Sequence, residues 1–221
     1  MAETKPEDPA MLTVHHLGIS QSDRIVWLCE ELAIPYAFVK YDRDPVSRMA
    51  PVAYKDLAPF GTAPVINDGD LTLGESGAIM EYILVKYGNG ALVVGPDKQN
   101  YADYLFWFHF ANGSFMPAGM VDMVVGMIGG DADLLKALRA RADTAYAMVE
   151  DRLGKVPYFA GDEFTAADII MLFPMTTMRA FAPRDLAPYP NIRAYLQRIG
   201  ARPAYQRAMA KADPDLPPML T

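Results

Sequence analysis

A single cysteine, Cys29, stands in 221 residues. No intrachain disulfide can form, and the chain reads as one suited to a reducing compartment. Histidine is nearly as scarce. His15, His16 and His109 have no metal-ligand spacing with one another or with Cys29, so no metal is expected. Basic residues are outnumbered, 20 against 27 acidic ones, for a net charge of −7. That balance argues against a nucleic-acid or anionic-membrane partner. A small anionic ligand would need local cations or helix N-termini instead. No apolar stretch approaches the roughly 18 residues of a membrane span. Met1 to Ala10 is polar and acidic with two prolines and lacks a signal-peptide pattern, so a cytoplasmic protein is expected. Internal repeats and low-complexity tracts are missing too. What is plentiful is hydrophobic residues, at 52%, enough for packed cores.

The first half alternates strand and helix signals. Met11 to Leu17 reads as a buried strand, broken by Gly18. Arg24 to Ala33 reads as a helix with Ile25, Leu28, Cys29 and Leu32 on one face, ended by Pro35. Tyr36 to Tyr41 is a second strand, and a looser helical stretch runs from Pro51 to Leu57. Pro64 to Ile66 and Leu71 to Leu73 are short strands joined by the turn signal Asn67-Asp68-Gly69-Asp70. Glu75 to Tyr87 is again helical. The order β-α-β-α-β-β-α predicts a thioredoxin-like α/β domain over residues 11–88, with a mixed sheet.

Gly88 to Asp97, with three glycines and one proline, reads as a linker. Strand signals vanish beyond it, and an all-α helical bundle is expected over residues 98–212. Tyr101 to Met127 is a long apolar helical region in which Pro117 predicts a kink or break. Gly129-Gly130 separates it from a helix that Asp131 would cap. Leu134, Leu135, Leu138, Ala142, Ala145, Val149 and Leu153 form the apolar face of that helix. Ala166 to Met178 and Asn191 to Ile199 fit two more helices. Phe164-Thr165-Ala166-Ala167-Asp168-Ile169 combines a capping box with a hydrophobic staple, and its role is structural.

Several of these residues together carry a family resemblance. Ser20-Gln21-Ser22-Asp23-Arg24, the loop Gly61-Thr62-Ala63-Pro64, Glu75-Ser76 and the Phe164 to Asp168 box stand in the order and spacing of a glutathione transferase, over roughly residues 11 to 205. His15 to Ser20, Tyr41 to Asp44 and Ala111 to Ser114 resemble its serine-type bacterial and fungal branch. The resemblance implies a homodimer that uses glutathione against an apolar electrophile or a hydroperoxide. Glutathione-dependent isomerisation or ether cleavage, and a non-catalytic interaction module, are alternatives on the same fold.

Each expected site residue has a chemical reason beside the family likeness. The glutathione thiol has a free pKa near ~8.5, and only the thiolate is nucleophilic. A hydroxyl ahead of a helix N-terminus favours the anion, and Ser20 sits there; Ser22 competes as thiol partner or helix cap. A cis bond before Pro64 would offer the backbone of Ala63 to the cysteinyl unit as an added strand. Ser76, opening a helix, suits the γ-glutamyl carboxylate, and Glu75 the ammonium beside it. Thr62 stands where the family usually has a basic residue, so Arg43, Arg48 and Lys55 are candidates for the glycine carboxylate. Met116, Met120, Met123 and Met127, with Trp107, Phe108, Phe110 and Phe115, would line either an electrophile pocket or the bundle core. Cys29, in mid-helix among apolar neighbours, reads as an inert packing residue.

Overall fold

The computed structural model describes residues 11–129 and 133–221. The N-terminal half is a four-stranded mixed sheet in the order β2-β1-β3-β4. Strand β1 (Thr13–Leu17) pairs parallel with β2 (Ala37–Tyr41) and antiparallel with β3 (Val65–Asp68), and β3 returns antiparallel to β4 (Leu71–Gly74). Gly69, at φ 59°, and Asp70 make the two-residue turn of that hairpin. Helix α1 (Asp23–Leu32) buries Ile25, Val26, Trp27, Leu28 and Cys29. Ala33 ends it in the left-handed region at φ 50°, and Ile34 N–H closes onto Cys29 O at 3.2 Å. Helix α2 (Val52–Lys55) is a single turn, and α3 (Ser76–Tyr87) buries Ile79 and Ile83. Asp68, at the end of β3, accepts from Tyr82, Lys86 and Tyr87 of α3 and pins that helix to the hairpin.

Among its described residues the second half is built on helices: α4 (Tyr101–Phe110), α5 (Met116–Ile128), α6 (Asp133–Leu153), α7 (Ala166–Met175), α8 (Pro190–Gly200) and α9 (Pro203–Ala212). Four sequence expectations need correction. The interruption between α4 and α5 is a π turn over Ala111–Phe115, and Pro117 lies inside the first turn of α5, where its missing N–H costs nothing. Helix α7 stops at Met175 and a 3₁₀ turn, Thr177–Ala180, follows it. Leu134 is 70% exposed and leaves the expected face of α6, whose buried positions are Ala142, Ala145, Tyr146 and Val149. Helix α9, unforeseen, packs along α1. Its Arg207 and Lys211 pair with Glu30, and Arg202 just before it meets Glu31 in a bidentate fork at 2.7 and 2.8 Å. The Asp131 cap lies outside the described residues, as does Met1 to Ala10.

The capping box forms as expected. Thr165 N–H donates to Asp168 Oδ2 at 2.8 Å, and Phe164 packs against the same core as Ile169. Cys29 is fully buried and burial pushes its thiol up to about 12. It should therefore resist thiol reagents at neutral pH in the native protein and label fully in denaturant. Native labelling as fast as that of free cysteine would mean that α1 opens from the sheet. Among the described residues, no helix is long and apolar enough to cross a membrane.

Candidate functional site

Register alone brings three segments to one end of the sheet. His15 lies opposite Val65, so the chain leaving β1 at Leu17 passes beside the chain entering β3. Val65 also lies opposite Gly74, so the start of α3 follows on the other side. The turn Gly18-Ile19-Ser20, the loop Thr62-Ala63-Pro64 and the pair Glu75-Ser76 therefore share one edge. The Ala63–Pro64 bond is cis. Ser76 opens α3 and is buried, while Glu75 is its N-cap and adopts φ 67°. A non-glycine residue there stores strain of about 1–3 kcal/mol, typical of ligand-binding sites. The amides of the first turn of α3 have no partner within the helix, which gives this end anion-binding character.

Gln21 ties the pieces together. Its Oε1 accepts from Ser76 Oγ at 3.4 Å and from Arg24 Nη1 at 2.7 Å. The same Arg24 nitrogen donates to Asn112 Oδ1 at 2.8 Å, so the π turn of the helical half is anchored to the Ser20 turn. Arg24 is 1% exposed, and burial lowers its guanidinium to about 10 against the attraction of Asp23. Asp23 accepts from Thr177 at 2.7 Å, a second link to the helical half.

Ser20 is 5% exposed, and its hydroxyl lies 2.6 Å from Leu17 O and 2.7 Å from Ser22 Oγ. Ser22 occupies the N-cap position of α1, yet its side chain makes no cap bond. It turns back, accepting from Leu17 N–H at 3.1 Å and contacting His16 Nδ1 at 2.9 Å. His15 instead bridges Tyr41 and Asn67 across the sheet.

Thr62 is exposed. Arg43 is committed to three backbone carbonyls, those of Gly18 at 2.8 Å, Arg48 at 3.0 Å and Ile19 at 3.1 Å. It lines, with Lys40, Arg48 and Asp213, a cavity of about 260 Å³ beside the Ser20 turn. A second cavity of about 340 Å³ sits against the π turn, lined by Phe110, Pro117, Val121 and Met148 among others. Its size falls within the range of small-molecule sites. Trp107, Phe108 and Phe115 are core residues, whereas Met120 and Met127 are 51% and 74% exposed.

An α/β sheet that offers a cis-proline edge and a helix N-terminus, backed by a helical bundle, defines a protein built to hold a small peptide-like ligand. Two family models match the chain: "Glutathione S-transferase, N-terminal domain" over residues 20–84 and "Glutathione S-transferase, C-terminal domain" over residues 78–203. The chain belongs to the glutathione S-transferase family and is a glutathione transferase, an enzyme that transfers glutathione to an electrophile. It is 34% identical to glutathione S-transferase 3 of Schizosaccharomyces pombe, over 92% of this chain and 88% of that protein. Glutathione S-transferase 3 of Zea mays is 29% identical, covering 88% and 91%. A solved glutathione S-transferase from Actinobacillus pleuropneumoniae superposes with a TM-score of 0.85 at 33% identity, covering 92% of this chain and 93% of that one.

Gln21, His16 and Asp213 were not singled out for this site by sequence reasoning. Gln21 and His16 lie within the stretches that carried the family resemblance, but no spacing rule marks their side chains. Asp213 lies 194 positions from the Ile19 amide it accepts, and no local pattern signals it.

Proposed function

We propose that the shared edge is the glutathione site and that Ser20 activates the thiol, as in the serine-type branch. The Ser20 hydroxyl donates to the sulfur and favours the thiolate. The backbone of Ala63, set by cis-Pro64, pairs with the cysteinyl unit as an added strand. Ser76 and the first turn of α3 receive the γ-glutamyl carboxylate, and Glu75 accepts from the ammonium. Thr62 meets the glycine end without a charge. Arg43 is already spent on carbonyls, so Arg48 and Lys55 are the cations free to reach the glycine carboxylate. The single observation that carries this reading is the convergence of the three segments on one sheet edge, two of them joined by the Ser76–Gln21 contact at 3.4 Å. The electrophile would be apolar, held at the cavity by the π turn, with hydroperoxides as a second substrate class. Exposed Met49, Val52 and Phe60 on the α/β half suit the buried face of a homodimer.

Glutathione binding followed by calorimetry, with thiolate followed by its ultraviolet absorbance, tests the whole reading. Glu75 offers a sharper check. Glu75→Ala removes a charge-assisted contact of roughly 1.5–3 kcal/mol, so affinity should fall by about 10- to 100-fold. Glu75→Gly should lose the same affinity while unfolding no earlier than wild type, because glycine relieves the φ 67° strain. Unchanged affinity in both variants would remove Glu75 from the site.

A further inference from the structure

A continuous buried polar chain runs behind Ser20 to the C-terminal segment. Ser20 Oγ lies 2.6 Å from Leu17 O and 2.7 Å from Ser22 Oγ, and Ser22 Oγ lies 2.9 Å from His16 Nδ1. His16 is fully buried, and its Nε2 makes no aligned hydrogen bond but faces Asp213 Oδ2 at 3.3 Å. Asp213 also accepts from the Ile19 N–H at 3.1 Å. Burial alone would raise the Asp213 carboxyl, yet His16 and the Ile19 amide hold it below the ordinary carboxylate value. The other charged groups around His16 are Asp23, on the first turn of α1, and Lys40, its partner across the sheet, with Arg43 beyond Asp213.

Counting protons gives this chain a direction. Three short contacts, Leu17–Ser20, Ser20–Ser22 and Ser22–His16, each need one proton. The two serines supply two. With its ring proton on Nε2, the nitrogen that faces the Asp213 carboxylate at 3.3 Å, His16 would present a bare Nδ1 to Ser22. The network is then one proton short and can take one up. We propose that His16, paired with Asp213, is the acceptor for the glutathione thiol proton, reached through Ser20 and Ser22. This inference rests on the reading of Ser20 as the thiol's partner.

The step balances in place. The S–H proton passes to Ser20 Oγ as the Ser20 proton passes to Ser22 Oγ, and the Ser22 proton passes to His16 Nδ1. The products are a thiolate and an imidazolium faced by Asp213, as a buried carboxylate stabilises imidazolium in other relays. Ser20 ends with its new O–H shared between Leu17 O and the sulfur, which fills the contact that was short of a proton and makes Ser20 a donor to the anion. His16 and Asp213 act through other groups and are positioning residues.

The test is the number of protons released when glutathione binds at neutral pH, read from binding heats in buffers of different ionisation enthalpy. S-methylglutathione, which has no thiol proton, gives the reference, and ultraviolet absorbance counts the thiolate formed. Wild type should form thiolate with almost no proton released above the reference. Ser22→Ala should release one proton for each thiolate it forms, and Asp213→Asn should shift partway toward that value. His16→Asn, which keeps a hydrogen bond to Ser22 but cannot hold the proton, should match Ser22→Ala if it folds. The wild-type count decides without any variant: one proton per thiolate overturns the relay. Ser20→Ala separates the two readings. Should it keep both thiolate and proton count, the Ser20 assignment itself falls and the relay with it; should it lose the thiolate while wild type releases its proton, only the relay falls.

Discussion

Ser20→Ala should raise the pKa of enzyme-bound glutathione by about one to two units and lower kcat/KM near neutral pH by roughly 10- to 100-fold. The size follows from the loss of one charge-assisted hydrogen bond to the sulfur, about 1.5–3 kcal/mol. The helix α1 N-terminus remains and keeps part of the stabilisation, so activity should fall without vanishing. The deficit should narrow at high pH, where the thiol, of free pKa ~8.5, ionises unaided. A pH profile of kcat/KM therefore separates this effect from simple loss of binding, which would lower the profile equally at every pH. The variant also leaves Leu17 O and Ser22 Oγ short of a neighbour. That structural cost should be about 1 kcal/mol, a few degrees in Tm for a chain of this size. A bound thiol that titrates as in wild type would overturn the assignment.

Features of the sheet were legible because their causes are local. Gly69 takes the positive φ that a two-residue hairpin turn requires, and Pro35 cannot extend α1. The cis bond at Ala63–Pro64 was expected from the loop's family likeness, since the dipeptide alone favours trans. The capping box at Thr165 was legible because both partners lie three residues apart. Helix α9 was not, because its buried face is Ala204, Tyr205, Ala208 and Ala212, small residues that give a faint apolar period. What fixes it is distant: Arg207 and Lys211 reach Glu30 on α1. The π turn had the wrong cause assigned. Pro117 signals an interruption, but the interruption lies upstream of it, as the π turn Ala111–Phe115, and the proline itself sits in the first turn of α5. The chain from Ser20 to Asp213 was illegible for a different reason. Its members look ordinary alone, and only the fold brings the end of the sequence to the first turn.

Asp168→Ala should destabilise the protein by about 3–5 kcal/mol, because it leaves buried donors without acceptors. The carboxyl is fully buried and takes four donors. Phe159 N–H at 2.9 Å and Tyr195 O–H at 3.2 Å reach Oδ1, while Thr165 N–H at 2.8 Å and Thr165 Oγ at 3.2 Å reach Oδ2. Burial pushes the carboxyl up to about 6, and these donors offset that only in part. A Tm lower by about 10 °C or more is expected, at roughly 2–4 °C per kcal/mol for a chain of this length. Asp168→Asn tests the cause. It conserves volume but turns an N–H₂ toward Thr165 or toward Phe159 and Tyr195, donors in either case. It should therefore cost nearly as much as alanine; wild-type stability in Asp168→Asn would show that shape, not acceptor count, holds α7 in place. The loss should reach the active edge as well. Helix α7 packs on α1, and Thr177 just beyond it donates to Asp23 in the first turn of α1. Loosening α7 frees the carboxylate of Asp23, the residue directly after Ser22. Well below its Tm the variant should keep the wild-type thiol pKa, and as α7 loosens on warming that pKa should rise before the protein unfolds globally, because the Ser20 turn is held in place from the helical side.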